Sequence, residues 1–369
     1  MKRTVLIVAL CMFCSLGVAA QGVLRWLDSE HDFGTFNEDL KRVECEMRAV
    51  NVGDSAVVIV NVNTTCGCTT SDYTREPIAP GDTAVVRLTY LATGRVGAFE
   101  KSAFVFTNTA QRKMRLKISG NVLASENTLK SVYPENIGAL FMDSRIIPFG
   151  DVKKGSSKMA YIGAYNNSPD TLLVQFSGVP SHVAMEAFPP EVPPFGLCTI
   201  SAFFNTYDTE EWGMLSNDVT IIAEPLREPS EVVSGAGKVS VIGTVNEDFT
   251  KWTNDQMQQA PIATLSEETL DFGNISLQDA EVEQKVKLTN TGSSVLPIRR
   301  IYSNVPKMLK IDCEAQELNP GESAEITFTV LTGQIEGMYL NARVTVMTGD
   351  PIHPKQYMRL VGIVKKENK

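Results

Sequence analysis

One pattern occurs three times along this chain, and it limits the fold more than any other feature. Phe-Gly stands at Phe33-Gly34, Phe149-Gly150 and Phe272-Gly273, each after an apolar stretch. Eighteen residues after each Phe comes an asparagine in a turn, at Asn51, Asn167 and Asn290. A Pro-Gly type turn follows at Pro80-Gly81, Pro194-Phe195-Gly196 and Pro320-Gly321, then a further glycine at Gly97, Gly213 and Gly337. Each copy closes on Gly-x-Val: Gly120-Asn121-Val122, Gly243-Thr244-Val245 and Gly362-Ile363-Val364. The Phe-to-Phe periods are 116 and 123 residues. Units of that size are too large for a solenoid and large enough to own a core each.

Between the landmarks the pattern is β. Val43, Cys45, Met47 and Ala49 alternate with Glu44, Glu46 and Arg48, and Ala324, Ile326, Phe328 and Val330 fall on one face of a run after the third Pro-Gly turn. Period-two alternation between Gly, Asn and Pro turns, with no sustained helical periodicity, predicts an all-β chain of three tandem immunoglobulin-like antiparallel β-sandwiches. Leu123 to Ser131 and Asn246 to Ala260 are polar stretches that read as linkers. The expected domains are 21–123, 132–246 and 262–365.

Residues 1–20 read as a signal peptide. Lys2 and Arg3 give a basic start, Thr4 to Val18 is almost wholly apolar, and Val18-Ala19-Ala20 puts small residues before Gln21. Cys11 and Cys14 follow Leu10 and Phe13, where a lipid-attachment site needs a small residue, so a soluble exported protein is expected. The apolar run is too short to span a bilayer well, and nothing later is long enough. The formal charge is −9; losing residues 1–20, with two basic side chains and no acid, leaves −11. No block of like charge stands out, which argues against nucleic acid or an anionic membrane as partner.

Cleavage leaves five cysteines: Cys45, Cys66, Cys68, Cys198 and Cys313. Five is odd, so at least one thiol is free or pairs with another molecule. Cys45 and Cys198 fall at core-facing positions, where a thiol acts as a small hydrophobe, and Cys313 lies in a less regular segment.

His31-Asp32-Phe33-Gly34-Thr35, the Asn51-Val52-Gly53 turn, Thr65-Cys66-Gly67-Cys68-Thr69 and Glu76-Pro77-Ile78-Ala79-Pro80-Gly81 together resemble the bacterial domain-of-unknown-function family numbered 1573. That family is similar to the immunoglobulin-like domains named after major sperm protein and hydin, and is common in exported proteins of the Bacteroidetes. The resemblance covers about Ser29 to Val122 and implies no activity. Copies two and three keep the frame but lack Cys-Gly-Cys.

Cys66 and Cys68, in a Thr/Ser-rich loop, form the one constellation with chemistry of its own. Gly67 lets the backbone bend enough to bring the sulfurs together. The first reading is a local staple in an oxidising compartment. The others are a thiol–disulfide redox site, since tight bridges are the more reducible ones, or binding of Cu(I) or Zn(II) by two thiolates. Two thiolates make half a tetrahedral zinc site, and His31 is the only nearby histidine in this copy.

No Gly-x-Ser-x-Gly elbow, His-Glu-x-x-His or phosphate-binding loop occurs, and no cofactor signature. Gly235-Ala236-Gly237-Lys238 has Val239 where such a loop needs Ser or Thr, and reads as a turn before a strand. Asp54-Ser55-Ala56, Asp82-Thr83-Ala84 and Asp170-Thr171-Leu172 match a short O-glycan acceptor pattern, with ordinary turn chemistry as the simpler reading. The expected function is a non-enzymatic module with a structural or protein-binding role in the cell envelope, periplasmic, surface-bound or secreted. The alternatives are a redox or soft-metal protein using Cys66 and Cys68, and a carbohydrate-binding module. The last needs aromatics on one surface, and Trp26, Trp212 and Trp252 lie in three regions.

Overall fold

The computed structural model describes residues 21–365, apart from 208, 228–230 and 233. The segment read as a signal, with Cys11 and Cys14, lies outside the described residues.

The first copy of the repeat supplies β1 (Leu24–Trp26), β2 (Glu30–Asn37), β3 (Arg42–Asn51), β4 (Ile59–Thr64), β5 (Thr69–Tyr73), β6 (Thr83–Leu91), β7 (Gly97–Thr107) and β8 (Lys113–Leu123). They pair in the orders β1-β3-β6-β5 and β2-β8-β7-β4. Alternation puts Met47, Ala84, Val86 and Leu88 of the first sheet against Ala103, Val105 and Leu116 of the second, all buried.

The second copy supplies β9 (Glu135–Ile137), β10 (Leu140–Met142), β11 (Ile146–Lys153), β12 (Ser157–Asn166), β13 (Leu172–Ser177), β14 (Val183–Phe188), β15 (Glu191–Val192), β16 (Leu197–Asn205), β17 (Gly213–Pro225) and β18 (Gly235–Asn246). The orders are β9-β10-β12-β16-β14 and β11-β18-β17-β13-β15. Phe149, Phe204 and Ile200 centre this core. Gly235 and Gly237 lie inside β18 rather than in a turn before it, where a Cβ would collide with Gly138 and Ile137.

The third copy supplies β19 (Ala263–Leu265), β20 (Thr269–Ser276), β21 (Glu281–Asn290), β22 (Leu296–Ser303), β23 (Leu309–Asp312), β24 (Glu317–Leu318), β25 (Ser323–Leu331), β26 (Tyr339–Thr348) and β27 (Lys355–Lys365). They pair as β19-β21-β25-β23 and β20-β27-β26-β22-β24, around Leu288, Phe328 and Val344.

The sandwiches are not antiparallel throughout. In each copy one strand pairs in parallel with the last: β2 with β8, β11 with β18 and β20 with β27. The chain makes a short first strand in one sheet and then crosses to the other, and alternation of side chains cannot reveal the direction of a partner. Phe-Gly is the bulge of that parallel pair. The register slips there in all three copies, and Gly34, Gly150 and Gly273 take φ of +65°, +62° and +61°, a region open to glycine.

The turn asparagine is buried, and in the second copy it is Asn166, one residue before the position the spacing indicates. Asn51 donates from Nδ2 to the carbonyls of Ser55 and Ile78, Asn290 to those of Ser294 and Leu318, and Asn166 to those of Asp170 and Val192. Each thereby ties two turns together. Phe195 holds φ +51° where the other copies have Gly81 and Gly321.

The two polar stretches read as linkers are bonded into their neighbours. Glu38, 4% exposed, accepts from the Ser125 N–H and hydroxyl at 2.9 and 2.8 Å and from the Gly94 N–H at 3.0 Å. Ser125 also caps α1 (Glu126–Ser131), and the Ala124 N–H donates to the Tyr165 hydroxyl. The second stretch holds α2 (Asn254–Gln258), closed by a Thr253/Gln256 capping box. Beside it Arg299 makes a two-pronged pair with Glu247 at 2.9 and 2.7 Å, and Arg300 donates to the Trp212 carbonyl at 2.7 Å. The further glycine of the first two copies marks close approach: a Cβ on Gly97 would meet Leu197 at 3.2 Å, and one on Gly213 would meet Tyr302 at 2.8 Å, whereas one on Gly337 would meet open space.

Candidate functional site

The loop from β4 to β5 carries Cys66, Gly67 and Cys68. The two sulfurs are joined, with the Cα atoms 5.3 Å apart. Backbone bonds hold the loop on both sides: the Thr65 N–H donates to the Ser102 carbonyl, the Thr69 N–H to the Cys66 carbonyl, and the Leu91 N–H to the Cys68 carbonyl. Cys68 is buried against the core, while Cys66 is half-buried and its Sγ accepts the Cys68 N–H at 3.1 Å. The buried hydroxyl of Thr69 lies 3.8 Å from one sulfur and 4.0 Å from the other.

The bridge borders an open concavity of about 630 Å³ together with Tyr90, Phe99, Val96, Arg95 and Lys101. Tyr90 stacks flat on Phe99 at 3.7 Å between ring centroids. Phe99 in turn lies 6.3 Å from Phe36 and 6.4 Å from Phe33, so the bulge phenylalanine reaches the floor of the cysteine loop. Burial pushes the Tyr90 hydroxyl up from its ordinary pKa, against the opposing pull of Arg95. The chemistry available here is that of a bridge on an aromatic floor with two cations beside it.

Cys45 and Cys198 are buried in the first and second cores, and burial pushes each thiol up to about 11. Cys313 is half-buried, raised in the same direction, with its thiol on the Ala315 carbonyl. All three are protonated at neutral pH and poor nucleophiles. His31 stands edge-on to Phe33 at 4.6 Å. Among the described residues, no three His, Cys, Asp or Glu side chains gather closely enough to hold a metal ion.

The tryptophans do not share a surface. Trp26 packs against the first core, Trp252 sits edge-to-face with Phe249, and Lys154 and Arg299 lie over the Trp212 ring at 5.1 and 4.7 Å. Trp212 borders a second cavity, of about 390 Å³, with Glu247, Arg299, His353 and Tyr357. Glu38 and this cavity are not legible in the sequence, because the segments that meet there lie 34 or more residues apart along the chain.

Residues 24–122 match the family model described as a protein of unknown function, DUF1573. Among curated proteins none matches the chain. Among solved structures, a protein of unknown function from Porphyromonas gingivalis W83 is 16% identical, covering 61% of this chain and 100% of its own, with a TM-score of 0.47. A PapD-like domain of human CEP192 is 14% identical over 32% of this chain and 94% of its own, with a TM-score of 0.25. A three-domain titin fragment is 11% identical over 94% and 99%, with a TM-score of 0.20.

Proposed function

We propose that this chain is an exported, non-enzymatic protein whose three immunoglobulin-like sandwiches serve as a binding scaffold in the cell envelope. The observation that carries the scaffold reading is the pair of tied junctions. At one, Glu38 holds Ser125 to the first sandwich while the adjacent Ala124 N–H donates to Tyr165 of the second. At the other, Arg299 pairs with Glu247 and Arg300 donates to the Trp212 carbonyl. Together they limit the freedom of neighbouring sandwiches in the way a spacer requires. Export is supported by the make-up of residues 1–20 and by the joined Cys66–Cys68, since such bridges persist in oxidising compartments. The Gln21 N–H also donates to the Asp54 carboxylate. That carboxylate stands ready to pair with a terminal amine once residues 1–20 are removed.

A soft-metal role would need Cys66 and Cys68 as free thiols, which the bridge removes. Thiol exchange would run through the bridge itself, and its reduction potential separates that role from the stiffening of one loop. Osmotic-shock fractionation with intact-mass measurement tests the proposal. The expected result is a chain in the soluble envelope fraction that begins at Gln21 and carries no lipid. A cytoplasmic chain retaining residues 1–20, or a diacylglyceryl group on Cys11 or Cys14, overturns it.

A further inference from the structure

The outward face of the second sandwich differs from its two counterparts. In the first sandwich the face of β3, β6 and β5 is charged: Glu46 pairs with Arg87 at 2.7 Å and with Arg48 at 3.1 Å. In the third, the face of β21, β25 and β23 pairs Lys285 with Glu325 at 2.9 Å and Lys310 with Glu281 at 2.8 Å. This is the usual water-facing side of an antiparallel sheet. Counting from the buried asparagines, Tyr161 stands where Glu46 and Lys285 do, and Met159 where Glu44 and Glu283 do. Counting from the Pro turns, Phe203 replaces Thr89 and Thr329. Met159 is 55%, Tyr161 66% and Phe188 77% exposed. One sequence therefore contains two polar controls for one apolar face, and the apolar side chains are not a requirement of the fold.

The charge that remains is one-sided. Glu186 lies opposite Ser201, as Asp72 lies opposite Arg87 in the first sandwich. The acid persists and its cation is gone. Glu186 has no ion pair among the described residues, and Asp143 sits at the same face, accepting the Gly163 N–H. No Lys or Arg shares the outward positions of β12, β14 and β16. At its far end the face reaches Leu197, which meets Gly97 of the first sandwich, so it continues an existing packing surface.

We infer that this face docks a second protein whose surface is apolar at its centre and presents Lys or Arg to Glu186 and Asp143. A second copy fits poorly, because two such faces bring four acids and no cation together in a chain of net charge −9. An anionic membrane is disfavoured by the same acids. The inference rests on the protein-binding reading above and names its surface.

The test places a photo-crosslinking side chain at Tyr161, or at the equivalent Glu46 or Lys285, in the full-length chain inside the cells that make it. The expected result is one discrete protein adduct from position 161 only, joined to a partner segment containing Lys or Arg. Met159→Glu with Phe203→Thr installs residues that the third sandwich carries at those positions, so the fold tolerates them. That pair should lower the adduct about tenfold, as should Glu186→Lys, while Asp72→Lys leaves it unchanged. Adducts from positions 46 or 285 alone overturn the assignment of the face but leave protein binding standing. No adduct at any position overturns both. An adduct with a second copy, or within the same chain, overturns the assigned occupant, and an unchanged yield with Glu186→Lys overturns the charge pairing.

Discussion

Glu38 accepts two hydrogen bonds from Ser125, one from its N–H and one from its hydroxyl, across 87 residues of chain. The pair locks the exit of the first sandwich to a turn at its own edge. Burial by itself would raise the pKa of this carboxyl, but bonds from Thr128, Ser125 and Gly94 outweigh it and hold it below the ordinary 4.5.

Glu38→Gln should therefore lose about 1–3 kcal/mol at pH 7, because buried donors lose an ionised acceptor. A carboxylate with a lowered folded pKa stabilises above its unfolded pKa, and the contribution fades as pH falls through the folded value. Thermal unfolding of the two proteins at pH 7 and in steps below 4.5 checks this. The gap in Tm should narrow only on the acid side, and a gap independent of pH contradicts the assignment.

Asn166→Ala should destabilise the second sandwich by about 2–3 kcal/mol, because carbonyls at two turns lose a buried donor. Asn167→Ala should stay within about 0.5 kcal/mol. Denaturant titrations of both variants decide which asparagine is structural.

Arg299→Ala should weaken the second junction by about 1 kcal/mol, a modest figure because both partners keep some contact with water. It also uncovers one face of Trp212. In a chain with Trp26 and Trp252 replaced by Phe, emission should shift to the red, and an unmoved spectrum refutes the stacking.

Replacing Cys66 and Cys68 together by Ser should cost about 1 kcal/mol or less, since the loop closed is as short as a bridge allows. The native bridge should resist glutathione, and the reduced protein should bind neither Cu(I) nor Zn(II). Ready reduction, or metal at one equivalent lost in the Ser variant, would favour the thiol-based alternative.

Much of the frame is legible in the chain. Phe-Gly, the Pro turns and Cys66-Gly67-Cys68 act locally, through a bulge, a turn and a short bridge, so a few neighbouring letters suffice to see them. The asparagine in the second copy slipped by one because Asn166 and Asn167 are adjacent and only the burial of one separates them. The parallel pairing of β2, β11 and β20 is invisible, since period-two alternation is identical for both strand directions. The docking face was hidden for a related reason. Met159, Ala160, Tyr161 and Ile162 are apolar on both sides of the strand, so the outward pair cannot be told from the core pair without the fold.

The parallel closing pair also decides how each sandwich answers a pull. In β11 and β18 the ladder runs from Ile146–Ser240 to Lys153–Asn246, so the entry of β11 and the exit of β18 lie at opposite ends. Tension applied between those two ends slides the two strands past each other and loads the rungs together, instead of unzipping them one at a time. The same geometry recurs in β2–β8 and β20–β27, so each of the three sandwiches carries one shear-loaded pair.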